Sequence, residues 1–82
     1  MYYMVVLKAQ NVAERSENMA ISIKAARVNA GLTQVQVAER LNKTKNTISS
    51  YEAYTSTPDI KTALEMAELF GMSVDDIIWS KD

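Results

Sequence analysis

Residues that end helices and residues that begin them alternate at short intervals between Gly31 and Ser73. Between these signals, apolar residues recur every three or four positions, which is the spacing of one helix face. Gly31 is a natural helix stop, and Thr33 with Gln36 three residues later has the Thr-x-x-Gln pattern of a capping box. The pattern therefore predicts short helices separated by tight turns.

The tightest of these turns joins two helices predicted at residues 34–41 and 45–52, with only residues 42–44 between them. Asn42 suits the left-handed residue that ends a helix, and Thr44 suits the N-cap of the next one. A joint of three residues makes the two helices cross steeply. The second helix is therefore expected to project from the body of the domain.

Similar signals on either side complete the fold prediction. A first helix runs from the region of Ile23 to Gly31, a fourth begins at Pro58-Asp59 and ends at Gly71, and Ser73 caps a short fifth. With 2 glycines and 1 proline in the chain, helices are favoured over a turn-rich β fold. The predicted fold class is all-α, a compact bundle of five helices.

A chain of 82 residues has room for one domain, which we place at residues 19–79. Residues 1–18 form an N-terminal extension and residues 80–82 a tail. The apolar stretch at residues 2–7 suits a short strand, and it is far shorter than the ~20 residues that cross a membrane. It also lacks the basic start of a signal peptide, so a cytoplasmic protein without membrane contact is expected.

The composition argues against catalysis and against metal binding. The chain has no histidine and no cysteine, so the usual general base, the thiol nucleophile and the commonest metal ligands are missing. No glycine-rich loop that could cradle a phosphate is present in the sequence. We therefore expect a protein that is not an enzyme and that uses no cofactor and no metal.

The net charge of −1 hides an uneven distribution. Residues 24–64 carry six cations against three carboxylates, a net charge of +3. Residues 65–82 carry one cation against five carboxylates, a net charge of −4. A local basic region of this kind fits a partner that is a polyanion, although ordinary solvated charge would give the same pattern.

The outward side of the helix predicted at 45–52 has the chemistry of a surface that reads DNA. It carries short or flexible donors and acceptors and no carboxylate. These residues are Lys45, Asn46, Thr47, Ser49 and Ser50. Phosphates repel carboxylates, whereas base edges in the major groove pair with amides, hydroxyls and cations.

The run TQVQVAERL-NKT-KNTISSYE at residues 33–52 resembles the helix-turn-helix of the lambdoid phage repressor and Cro family, also called the XRE family. The similarity extends from about Ile23 to Ile78 and includes GLTQ at 31–34 and the glycine-serine stop at 71–73. It implies a five-helix, lambda repressor-like bundle. It also implies a regulator of transcription that binds double-stranded DNA sequence-specifically, of the repressor type found in phages, prophages or mobile elements.

The resemblance assigns roles to individual residues. The recognition helix 45–52 enters the major groove, Gln34 contacts phosphate and braces that helix, and Arg27 with Glu52 forms a structural ion pair. The predicted DNA-binding residues are Thr33, Gln34, Lys43, Lys45, Asn46, Thr47, Ser49 and Ser50.

This chain also departs from the family pattern. The family often has Gly at position 42, and it usually has Asn-Gly followed by basic residues after the Glu of the recognition helix. Here residues 53–57 read AYTST and carry no charge. The missing cations predict weaker phosphate binding and a flatter salt dependence. Tyr54 is open to two interpretations, packing on the surface or contact with the DNA backbone.

Apolar residues near the C-terminus predict a symmetric homodimer, because a small bundle has little core left to cover them. The predicted interface residues are Met72, Val74, Ile78 and Trp79. Two-fold symmetry would place two recognition helices on a pseudo-palindromic operator. The alternative is an antitoxin-like protein whose main role is to bind a protein partner, such as a toxin; an antirepressor is a further possible partner.

Overall fold

Four short α-helices make up most of residues 20–81, the part of the chain that the computed structural model describes. They are α1 (Ile23–Asn29), α2 (Gln34–Leu41), α3 (Lys45–Glu52) and α4 (Ile60–Phe70). Strand β1 (Ile21–Ser22) precedes them, and strand β2 (Ile77–Ile78) follows a 3-10 turn at Val74–Asp76. The strand predicted at residues 2–7 lies outside the described residues.

Each helix begins after a residue whose side-chain oxygen accepts a backbone hydrogen bond from the first turn. Ser22 caps α1, Thr33 caps α2, Thr44 caps α3 and Asp59 caps α4. At Thr33 the capping box is complete, because the Gln36 side chain in turn accepts from the Thr33 amide at 2.8 Å. The predicted starts of α2 and α3 are confirmed.

All four helices end in one way, with a left-handed residue at the turn. These residues are Gly31 (φ 75°), Asn42 (φ 58°), Tyr54 (φ 61°) and Gly71 (φ 71°). The amide after each one bonds to the carbonyl five residues before that amide, as in the Schellman motif. The stops predicted at Gly31, Asn42 and Gly71 are confirmed. Tyr54 was not predicted, because a side chain in this conformation costs about 1–2 kcal/mol.

The core lies where the four helices meet. Each helix contributes one large side chain that is fully buried: Ile23, Val37, Ile48 and Met66. Smaller residues on the same faces, such as Ala26, Ala38 and Ala67, let the helices approach closely. This packing holds α2 and α3 in a fixed crossing and leaves the opposite side of α3 outside the core.

The predicted fifth helix is wrong. Ser73 does cap a turn, accepting from the Asp75 amide at 3.3 Å, but the turn ends after three residues. The chain then becomes β2, which pairs in parallel with β1 in the register Ile21 to Ile77 and Ser22 to Ile78. β-Branched isoleucines favour a strand over a helix, and the ladder satisfies backbone groups that another helical turn would have paired.

Candidate nucleic-acid interface

The joint between α2 and α3 is a tight left-handed turn. Asn42 holds the left-handed conformation, and the Lys43 amide bonds back to the Ala38 carbonyl at 2.8 Å. Thr44 then caps α3 by accepting from the Thr47 amide at 3.2 Å. The joint therefore uses its own backbone and one hydroxyl to fix the angle between the helices, and the Lys43 side chain remains exposed.

The helix α3 has one apolar face and one polar face. Ile48 and Tyr51 are buried in the core. On the other side Lys45, Asn46 and Ser49 are exposed, whereas Thr47 and Ser50 are half-buried. The exposed positions of this face therefore offer an ammonium group, an amide and one hydroxyl, and they include no carboxylate.

The one carboxylate of α3, that of Glu52, is used inside the protein. It accepts from both Nε and Nη2 of Arg27 and from Nε2 of Gln34, the last at 2.9 Å. The Arg27 and Glu52 side chains are only 11% and 5% exposed. We call Arg27, Gln34 and Glu52 the Glu52 cluster. It joins α1 and the start of α2 to the C-terminal end of α3.

The cluster also holds the loop between α1 and α2. Nη1 of Arg27 donates to the Leu32 carbonyl at 2.8 Å, so that one guanidinium bridges a loop and a helix end. Arg27 and Glu52, the residues for which an ion pair was predicted, are in contact. The Leu32 carbonyl was not part of the prediction, and no sequence pattern marks it.

The remaining predicted DNA-binding residues occupy different environments. Thr33 is exposed, but its hydroxyl accepts from the Gln36 amide at 3.0 Å as part of the capping box. Gln34 is half-buried, with its amide nitrogen directed to Glu52. Lys43 is exposed at the turn before α3. The structure thus brings Lys43 together with α3, and it gives Thr33 and Gln34 internal partners.

The sequence allows Tyr54 either to pack on the surface or to contact the DNA backbone, and in the structure its hydroxyl bonds within the protein. It donates to the Ile78 carbonyl at 2.7 Å and accepts from the Ile23 amide at 3.4 Å. Tyr54, two residues past the end of α3, therefore joins this end of the helix to β2 and to the start of α1. The only sequence signal at this position is that the chain lacks the family's Asn-Gly. That signal does not predict which groups the Tyr54 hydroxyl bonds to.

The start of α4 carries a perturbed carboxyl group. Hydrogen bonds from the side chain and the backbone of Thr62 lower the pKa of Asp59 below its usual value of 3.8, and nearby Lys43 and Lys61 act in the same direction. The ionised carboxylate is thus the form that caps α4. Lys43, at the turn before α3, and Lys61, on α4, are both close enough to Asp59 to influence it.

The predicted dimer residues are mostly packed against the domain itself. Met72, Val74 and Trp79 are partly buried against the core, and the Trp79 indole donates to the Val74 carbonyl at 2.9 Å. Among them only Ile78 is exposed, with a relative accessibility of 42%. Other apolar side chains are more exposed, notably Ile60 at 77% and Leu64 at 52%, one turn apart on α4.

Within the described residues, no group of three or more acidic side chains is arranged to hold a metal ion. None of the helices at residues 20–81 combines the length and the apolar character that a membrane-spanning segment needs.

Comparison with known proteins gives a family match and one curated relative. The helix-turn-helix family model of the XRE type matches residues 23–77. The HTH-type transcriptional regulator ImmR of Bacillus subtilis (strain 168) is 39% identical over 56 residues, which cover 68% of this chain and 44% of ImmR. The chain thus matches less than half the length of that relative. No solved structure matches the chain.

Proposed function

Because this chain belongs to the XRE family of helix-turn-helix DNA-binding domains, we propose that it binds double-stranded DNA sequence-specifically through α3 and regulates transcription. The observation that carries the proposal is the exposed face of α3. It holds Lys45, Asn46 and Ser49 at exposed positions, while the helix's only carboxylate is paired in the Glu52 cluster. A polyanion meets no negative charge on this face.

The side chains of the face suit the major groove. An asparagine amide can pair with both N6 and N7 of adenine, and a lysine can reach guanine or a phosphate. We therefore assign Asn46 to base reading and Lys45 to either a base or the backbone. Lys43, at the turn before α3, is assigned to phosphate. Ser49 and Ser50 supply hydroxyls farther along the helix.

The DNA partner we propose is a pseudo-palindrome bound by two copies of the chain. A two-fold dimer would place two α3 helices about one DNA turn apart, ~34 Å. Ile78, exposed at the edge of the two-stranded sheet, is the predicted interface residue most accessible to a second copy. Repression of a phage, prophage or mobile-element promoter is the mode of action that the resemblance favours.

The experiment is a selection from random duplex DNA at about 100 mM salt, where binding through phosphates alone is weakened. We expect one motif to be enriched, arranged as an inverted repeat. The spacing of the repeat would give the separation of the two recognition helices. Failure of a folded protein to enrich any sequence would overturn the proposal.

A charge-matched control separates recognition from general cationic attraction. Lys45→Ala and Lys24→Ala remove one exposed lysine each, from α3 and from α1. Only Lys45→Ala should change the affinity for the enriched site or its sequence preference. Equal losses in the two variants would indicate that charge alone drives binding.

A further inference from the structure

The two threonines at the start of α3 are hydrogen-bonded to each other. The Thr44 and Thr47 hydroxyl oxygens lie 3.0 Å apart, and the Thr47 amide donates to the same Thr44 oxygen at 3.2 Å. Thr47 is the third residue of α3 and is half-buried. Its hydroxyl is thus turned back towards the N-cap of its own helix.

This bond limits what Thr47 can offer to a ligand. A threonine has two heavy atoms on Cβ, an oxygen and a methyl carbon, and they lie in different staggered directions. Because the oxygen is held by Thr44, the rotation about the Cα–Cβ bond is fixed. The methyl group lies in a different staggered direction, so an outside contact through it would leave the bond to Thr44 intact.

We propose that Thr47 reads the 5-methyl group of a thymine, as an apolar contact in a face that is otherwise polar. The proposal rests on the proposed function, since it needs α3 in the major groove. In that groove the methyl group of thymine is the one apolar feature that marks a base, and a threonine methyl is a suitable partner for it. Thr47 therefore contributes to specificity through its methyl group, while its hydroxyl stays bonded to Thr44.

The residue next to Thr47 predicts which base pair would lie beside the thymine. Asn46 precedes Thr47 and is exposed, with an amide suited to adenine. An amide and a methyl group side by side would favour A·T base pairs at adjacent positions of each half-site. A thymine methyl placed against Thr47 loses its water contact, and burial of one carbon of this kind changes affinity by about fourfold.

The test replaces thymine by uracil, which lacks the methyl group, one position at a time in the site enriched by selection. For the wild-type protein we expect one position per half-site at which uracil weakens binding about fourfold. Thr47→Ser keeps the hydroxyl and removes the methyl, so the uracil penalty at that position should disappear. Thr47→Val keeps a methyl, so the penalty should remain.

Thr44→Ser is the matched control, because it also removes one methyl while retaining a capping hydroxyl. It should leave the Thr47-dependent penalty in place. The proposal is overturned if no uracil-sensitive position depends on Thr47, or if Thr44→Ser abolishes the same penalty. Enrichment of a site without any Thr47-dependent penalty would refute this inference alone, whereas failure to enrich any site would overturn the proposed function as well.

Discussion

The two ends of α3 are built for different purposes. The N-terminal end carries Lys45 and Asn46 in solvent, and its contacts with the rest of the chain are a cap and a tight turn. The C-terminal end is held by buried Tyr51, by Glu52 in its cluster, and by Tyr54 just beyond the helix. A helix supported from one end leaves the residues of its other end free to vary, so the base preference that we propose for Lys45 and Asn46 could change with little change in stability.

The largest change in stability is expected when the C-terminal end of α3 loses the Glu52 carboxylate that supports it. In Glu52→Ala the Arg27 guanidinium stays buried without a carboxylate, and breaking a buried pair in this way costs about 3–5 kcal/mol. Small domains have a total stability of roughly 5–15 kcal/mol, so the variant should be close to unfolding. Urea denaturation followed by circular dichroism measures the change.

A double variant shows whether the cost comes from the unpaired charge. Arg27→Met combined with Glu52→Leu removes both charges and fills the space with apolar atoms, which is often nearly neutral. Its free energy of unfolding should lie well above that of Glu52→Ala. If the free energy of unfolding of Glu52→Ala lay within about 1 kcal/mol of the wild-type value, the Glu52 cluster would not be what supports the C-terminal end of α3.

The next largest effect, on DNA binding, is expected at the exposed N-terminal end of α3. Asn46→Ala should cost about 1–3 kcal/mol of binding at one base position and relax the preference there. Its free energy of unfolding should stay within about 0.5 kcal/mol of the wild type, as for other surface substitutions. Competition binding against site variants, together with denaturation, gives both quantities. An unchanged base preference would show that the recognition surface has been misplaced.

A smaller effect is expected just beyond the supported end. Tyr54→Phe keeps the ring and the left-handed backbone and removes the hydroxyl bonds to Ile78 and Ile23. The expected loss is about 1 kcal/mol of unfolding free energy, the net value of a typical hydrogen bond. Thermal unfolding of the two proteins side by side measures it. Equal stability would mean that water replaces the hydroxyl without cost.

The smallest effect is a change in pH dependence at the start of α4. The pKa of Asp59 is lower in the folded protein than its usual value of 3.8 because the ionised group is hydrogen-bonded to Thr62. Its contribution to stability is therefore present above pH 3.8 and is lost as the pH falls through the lower folded pKa.

Asp59→Asn retains a capping side chain that does not titrate. Its stability should fall less between pH 4 and pH 2 than that of the wild type, whereas Asp59→Ala loses the cap at every pH. Denaturation curves across this range compare the three proteins. Parallel curves for Asp and Asn at position 59 would contradict the role of the carboxylate.

The sequence predicts α2, α3 and their joint closely, because each boundary is set by a local side-chain contact. Thr33 and Thr44 each accept from the amide three positions later, and Asn42 tolerates the conformation that ends a helix. Such signals need only neighbouring residues. Local periodicity also predicts a polar face on α3; of its five residues the structure leaves Lys45, Asn46 and Ser49 exposed, and the other two are half-buried.

Contacts between residues far apart in the sequence could not be predicted from such local signals. The capping signal at Ser73 suggested a helix, but Ile77 pairs with Ile21, more than fifty residues earlier in the chain. Two-residue strands are too short to show an alternating pattern. The Tyr54 hydroxyl reaches Ile78 for a similar reason, since no residue near Tyr54 in sequence marks its partner.

The parallel pairing of β1 with β2 has a mechanical consequence. The chain enters the ladder at Ile21 and leaves it after Ile78 in the same direction, so the two outward ends lie at opposite ends of the strand pair. A force that pulls these ends apart slides one strand along the other and loads the ladder bonds together instead of one after another. Tension on the flanking segments would therefore be resisted first at this small sheet, before it reached the helices.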